Sequence, residues 1–136
     1  NNAPKNLQDL FPSIDELAAT TLGIKMGGSL LLRDLVSTKQ LEAMIIAYLC
    51  RSMYLVTNRL NEKSMFNYAI AGTIFLNFML ESGAIKQFKG LMITNFTKVF
   101  VSIHDLSIIL ERLLSQGKRK DAEIFIKKYG PTPQLS

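Results

Sequence analysis

The sequence predicts an all-α fold: a compact bundle of six or seven helices, two of them central and apolar, with extended N- and C-terminal arms. Three observations predict it. Apolar residues recur at helical spacing through most of the chain. Capping-box residues, glycines and prolines cut those periodic stretches into segments of helix length. The composition, 48% apolar and 20% charged, is enough for a packed core and argues against disorder. At 136 residues the chain has the size of one domain. The expected boundaries are an arm over residues 1–12, a helical domain over 13–130 and a tail over 131–136.

Residues 1–12 contain Pro4 and Pro12 and few periodic apolar positions, which reads as an extended arm. Ser13 and Glu16 then have capping-box spacing, the hydroxyl accepting from the amide three residues on and the carboxylate reaching back. The helix they open should end near Leu22, at Gly23. Gly27, Gly28 and Ser29 break the chain again, and a second short helix follows from Leu30 to Val36. Ser37 and Gln40 form another capping box, opening the longest helix, to about Leu60. Leu41, Met44, Ile45, Tyr48, Ser52, Leu55 and Val56 mark one face of it. Ile46, Leu49, Cys50 and Met53 spill beyond that face, so this helix is expected to be central.

Asn61 can cap the next helix, over residues 62–80, and Gly83 can end it. Its polar residues Lys63, Asn67, Asn77 and Glu81 share a narrow stripe, and nearly everything else is apolar, so this helix too is expected to be central. The uncharged run 64–80 is at the short limit for a bilayer span. It includes Ser64, Asn67, Thr73 and Asn77, which are costly in hydrocarbon, so it reads as a core helix and a membrane is not an expected partner.

From 84 to 100, Ile85, Phe88, Met92, Phe96, Val99 and Phe100 follow a helical period. Gly90 and the β-branched pair Ile93 and Thr94 oppose it, and leave a short strand through Met92 to Phe96 as the alternative. Ser102 and Asp105 read as the start of a helix to about Ser115, with a stripe of Ile103, Leu106, Ile109, Leu110, Leu113 and Leu114. Gly117 ends it. The last helix, about Arg119 to Tyr129, buries Ala122, Phe125, Ile126 and Tyr129, carries Lys127 and Lys128 in its last turn, and stops at Gly130 and Pro131.

Chemistry of the catalytic kind finds little support. The one histidine, His104, has no ligand partners at metal spacing, and the adjacent Asp105 cannot face it on a helix. Gly23 to Ser29 differs from a phosphate loop: Gly28 stands where the lysine belongs and no strand precedes it, so a turn with Ser29 as N-cap is expected. Cys50 is the one cysteine, excludes an internal disulfide and should pack as a small hydrophobe. No cofactor, metal or enzymatic activity is expected. The absence of a signal peptide and of a disulfide framework points to an intracellular, cytoplasmic chain. The start at Asn1, without an initiator methionine, reads as a fragment or a processed product.

The charge is distributed unevenly. Residues 1–85 hold seven Lys/Arg and seven Asp/Glu, whereas residues 86–136 hold nine against four, so the net +5 lies in the last third. A basic patch attracts polyanions. The candidate nucleic-acid contacts are Lys86, Lys89, Lys98, Arg112, Lys118, Arg119, Lys120, Lys127 and Lys128. Phe88, Phe96 and Tyr129 lie among them and can stack on bases, although their apolar stripes favour core packing. The set is rich in lysine and poor in arginine, which suits loose phosphate contact over base readout.

Residues 111–125, with Gly117 in the turn and Asp121 and Ala122 following, resemble the helical hairpin of tetratricopeptide and pentatricopeptide repeat proteins over about 20 residues. The resemblance implies a helix, a tight basic turn and a helix. Gly83 and Lys86 precede Gly117 and Lys120 by 34 residues, but Asn95 and Lys98 do not continue the echo, and a solenoid needs several repeats.

Three functional readings follow. The first is a non-enzymatic helical module that binds RNA or single-stranded DNA, without sequence preference, through its basic C-terminal face, and self-assembles in the manner of a viral nucleocapsid protein. The second is a protein-interaction adaptor whose groove takes a partner helix, to which the six methionines and Ile46 or Ile124 are suited. The third is a membrane-associated helical protein built around residues 64–80.

Overall fold

The computed structural model describes residues 2–58, 62 and 65–131. It is mostly helical. Five long helices, α2 (Phe11–Leu32), α3 (Thr38–Asn58), α4 (Phe66–Glu81), α5 (Phe96–Gln116) and α6 (Arg119–Tyr129), follow a short α1 (Ala3–Leu7) and a 3-10 turn, Gln8–Leu10. Two strands, β1 (Ile85–Phe88) and β2 (Leu91–Thr94), form an antiparallel hairpin between α4 and α5. One buried cluster joins all of these, from Ala3 and Leu7 through Ile74, Phe75 and Met79 to Phe125 and Tyr129.

The six or seven expected helices become five long ones for two reasons. The glycines at 23, 27 and 28 do not break the chain, and α2 runs straight through them. Gly27 sits where α3 presses closest: a Cβ there would lie 2.7 Å from Leu41 Cδ1 and 2.5 Å from Met44 Cε. A glycine inside a helix costs roughly 1 kcal/mol against alanine. Here the close approach of two helices offsets it. Ser13 is accordingly not a cap but a buried residue in the first turns of α2, its hydroxyl donating to Asn67 Oδ1 at 3.0 Å.

The second reason is the hairpin. Lys89 and Gly90 take φ of 50° and 77°, the paired left-handed geometry of a type I′ turn, which glycine adopts at no steric cost. Ile85–Phe88 and Leu91–Thr94 therefore fold back on each other as strands, and α5 begins at Phe96 with Asn95 as its cap, accepting from the Lys98 amide at 3.1 Å. Ser102, expected as the cap, is buried mid-helix and donates to the Ser82 hydroxyl at 2.6 Å.

The N-terminal stretch is not an extended arm. Pro4 and Pro12 each sit in the first turn of a helix, where a missing amide costs nothing, and Ala3 and Leu7 are fully buried one turn apart. Of the tail, residues 132–136 lie outside the described residues, as do Leu60, Asn61, Lys63 and Ser64.

Of the two helices expected at the centre, α4 is central: Ala69, Ala71, Gly72, Thr73, Ile74, Phe75, Phe78 and Met79 are all buried. Helix α3 is amphipathic instead. Leu41, Ile45, Leu49, Ser52 and Leu55 face inward, while Ile46, Cys50 and Tyr54 face solvent, so Cys50 is exposed rather than packed. The Ser37 and Gln40 capping box is present, with both reciprocal hydrogen bonds formed at 3.1 and 2.7 Å. Helices α5 and α6 end as expected, α5 on Gly117 at a φ of 61° and α6 at Gly130. They form the helix–turn–helix that the repeat resemblance implied. The supposed echo at Gly83 leads into a strand, so the hairpin is not repeated.

Candidate functional site

The nine candidate cations are all at the surface, but the fold distributes them along the length of α5. Lys86 and Lys89 are on the hairpin, and Lys98 is in the first turn of α5. Arg112 lies near the end of that helix, and Lys118, Arg119, Lys120, Lys127 and Lys128 lie on the turn after it and on α6. From Lys98 to the end of α5 at Gln116 the helix rises about 27 Å. The five cations at the α6 end and Arg112 form one neighbourhood, and the hairpin lysines form another.

Two cations are committed to the fold. Arg119 Nη1 donates to the Leu7 carbonyl at 2.9 Å and to Asp9 Oδ1 at 2.8 Å, and its Nε donates to Glu123 Oε1 at 2.9 Å. It ties α6 to the N-terminal helices. The Arg119 hydrogen bond holds the Asp9 carboxyl below the ordinary carboxylate value, and Asp9 in return raises the guanidinium. Lys128 Nζ lies 3.6 Å from Glu81 Oε1 and 5.0 Å from the centre of the Tyr129 ring. The Tyr129 hydroxyl first and the Glu81 carboxylate second hold this ammonium above its usual range. Among the described residues, Lys86, Lys89, Lys98, Arg112, Lys118, Lys120 and Lys127 make no ion pair within 4.0 Å.

The aromatic residues proposed for stacking take different places. Tyr129 is buried against Phe78 and Phe125, at centroid distances of 5.2 and 5.3 Å, and its hydroxyl donates to Glu81. Phe96 packs partly against the core. Phe88 is 58% exposed on the hairpin, where the apolar period had suggested burial.

The apolar surface is more distinctive than the charge. Leu22, Met26 and Leu30 are exposed at successive turns of α2. Beside them, α2 and α5 diverge around a cleft of about 410 Å³ lined by Ala18, Leu22, Leu110 and Leu114, with Lys25 and Glu111 among its charged residues. Lys25 Nζ donates across it to the Ser107 hydroxyl at 3.3 Å. The sequence carried this signal in the i, i+4, i+8 spacing of Leu22, Met26 and Leu30, but the intervening glycines divided it between two expected helices. A second cleft, of about 450 Å³, between α5 and α6 includes Ile109, Ile124 and Arg112. Ile46 and Ile124 are exposed, at 40% and 59%.

Among the described residues no group of His, Cys, Asp and Glu has the geometry to hold a metal ion, and His104 is exposed on α5. Nor is any helix among them long and apolar enough to cross a membrane. Helix α4, the core of the 64–80 run, instead buries its middle, Ala69 and Ala71 to Phe75, in the protein core, with Phe66, Tyr68 and Leu80 exposed at its ends.

No family model and no curated protein sequence matches the chain. Among solved structures, that of DPP III from Caldithrix abyssi matches 97% of this chain with a TM-score of 0.85 at 19% identity. The likeness is one of fold. The chain spans 25% of the length of that protein, which therefore extends well beyond this helical unit.

Proposed function

We propose that this chain is a non-enzymatic docking module whose α2–α5 face takes an apolar helix of a larger assembly. The observation that carries the proposal is the exposed row Leu22, Met26 and Leu30 beside the apolar cleft between α2 and α5. A groove between two helices, floored by leucines and flanked by one cation and one anion, suits an amphipathic helix with apolar residues at i, i+3, i+4 and i+7. The same fold occurs within a longer chain, of which it matches 25%. Anisotropy of a fluorescein-labelled amphipathic helix with leucines at that spacing tests it. Binding should weaken tenfold or more in Leu22→Asp with Met26→Asp, and a peptide with the leucines scrambled should not bind. Equal binding by the double variant would remove the groove from the proposal.

A second reading, binding of RNA or single-stranded DNA, is favoured by one observation: Lys118, Lys120 and Lys127, spread along α6 from its cap to its last turn, and Arg112 on α5 have no ion-pair partners among the described residues. Its test is binding of a random single-stranded RNA at low salt. Changing Lys118, Lys120 and Lys127 to Ala should abolish it, and retained binding would refute it.

A further inference from the structure

The hairpin between α4 and α5 presents its apolar side to solvent. Its register pairs Lys86 with Ile93 and Phe88 with Leu91, and cross-strand partners lie on the same face of a sheet. Phe88, Leu91 and Ile93 are 58%, 69% and 52% exposed. The opposite face carries Ile85, which is buried, and Met92 and Thr94, which are partly covered. A soluble hairpin resting on a core is ordinarily apolar inward and polar outward. Here the inner face is mixed, with exposed Gln87 opposite Met92, while the outer face carries Phe88, Leu91 and Ile93 with no cover among the described residues.

The charge of the hairpin and its flanking sequence is of one sign. Between Glu81 and Asp105 the chain has no acidic residue, and it has three lysines, Lys86, Lys89 and Lys98. Lys86 is on the apolar face itself. Lys89 is at the tip, its ammonium 5.3 Å from the centre of the Phe88 ring. Lys98 reaches the base, its Nζ 3.6 Å from where a Cβ on Gly83 would stand. None of the three makes an ion pair with a described residue. The turn itself is open: a Cβ on Gly90 would meet nothing within 4 Å.

From this juxtaposition we infer that the hairpin is an anchor for an anionic membrane surface, with Phe88, Leu91 and Ile93 entering the headgroup boundary and Lys86, Lys89 and Lys98 facing lipid phosphates and carboxylates. Apolar side chains ringed by lysines bind such interfaces through partial burial and through the negative surface potential. The size of the face favours a bilayer over a protein. Two four-residue strands present far less than the roughly 800 Å² per partner of a stable protein interface. A lipid surface accepts a small tip because it needs no complementary shape. The inference is independent of the α2–α5 groove, which lies on other elements.

The chain contains no tryptophan, so one introduced residue reports on the tip alone. Phe88→Trp in the full chain should shift its emission to the blue with vesicles of phosphatidylcholine and phosphatidylserine. It should be quenched there by brominated acyl chains, and it should show neither change with phosphatidylcholine alone. Adding Lys86→Glu and Lys89→Glu should weaken partitioning tenfold or more while far-ultraviolet circular dichroism stays that of the folded chain. Ile124→Trp, exposed on α6, should not shift. The inference is overturned if Phe88→Trp responds equally to both vesicle types or to neither, if the charge reversals leave partitioning intact, or if Ile124→Trp shifts as much. A Phe88→Trp shift produced by an acidic peptide but not by vesicles would replace the bilayer with a protein partner.

Discussion

Leu7→Ala measures whether the first ten residues belong to the core. Leu7 is wholly inaccessible to solvent and packs in the same cluster as Leu113, Ala122 and Phe125. Cutting a fully buried leucine to alanine removes its transfer energy and leaves a cavity, together costing about 3 kcal/mol. The site has little room to collapse, because the Leu7 carbonyl is itself held by Arg119 across 112 residues of sequence. For a chain of this size, that loss lowers Tm by roughly 10 °C. Urea unfolding followed by circular dichroism should show the midpoint falling at an unchanged m-value, the signature of one cooperative unit. A lower m-value would mean that α1 detaches before the rest. A loss below about 0.5 kcal/mol, the range of a neutral surface substitution, would refute the docking and restore the extended arm.

Gly72→Val should destabilise by about 2 kcal/mol in the same unfolding assay, because a side chain there meets the α3 backbone at 3.3 Å from both Ser52 Cα and its carbonyl oxygen. Asn77→Ala should cost about 1 kcal/mol and speed amide exchange at the end of α6, since the Asn77 amide donates to the Tyr129 carbonyl at 2.7 Å. Asp9→Asn should be pH-dependent. The folded-state pKa of Asp9 is lowered, so the group stabilises above its ordinary value of 3.8 and that stability disappears as pH falls through the lower folded value. The variant should therefore melt below the parent at pH 7 and converge with it under acid; a constant gap across that range would remove the Arg119 pair as the cause.

Legibility followed the locality of the signal. The Ser37–Gln40 box, the stop at Gly117 and the α5 and α6 stripes are set by neighbours within one or two turns, and the sequence displays them directly. Gly27 misled because its role is to admit Leu41 and Met44 from another helix, a relation that no window along α2 contains. Pro4 and Pro12 read as arm residues, yet proline is equally at home in a helical first turn, and the burial of Ala3 and Leu7 decided between them. Residues 84–95 hold a period compatible with a helix. What overrode it was the turn geometry of Lys89 and Gly90, together with β-branched residues that fit a strand. The candidate site was legible as a composition and not as a place. The nine cations were countable, but only folding showed Arg119 tied to Asp9 and Glu123, and Lys128 beside Glu81.

That last distinction gives the polyanion reading a sharp numerical form. Each phosphate neutralised on a single strand contributes about −0.7 to the slope of log K against log salt. If all nine late cations reached one strand, the slope would be about −6. The fold makes that arrangement unfavourable, because Arg119 and Lys128 already have carboxylate neighbours and Lys98 stands about 27 Å along α5 from its end at Gln116. Arg112, Lys118, Lys120 and Lys127 alone would give about −3. Random single-stranded RNA titrated across a range of salt therefore counts the cations that share one strand. A slope near −3 that collapses in the triple Lys118, Lys120 and Lys127 to Ala variant would locate binding at the α6 end. A slope near −5 would mean that Lys86, Lys89 and Lys98 join them on the same strand, and the separation of the two basic neighbourhoods would then be wrong.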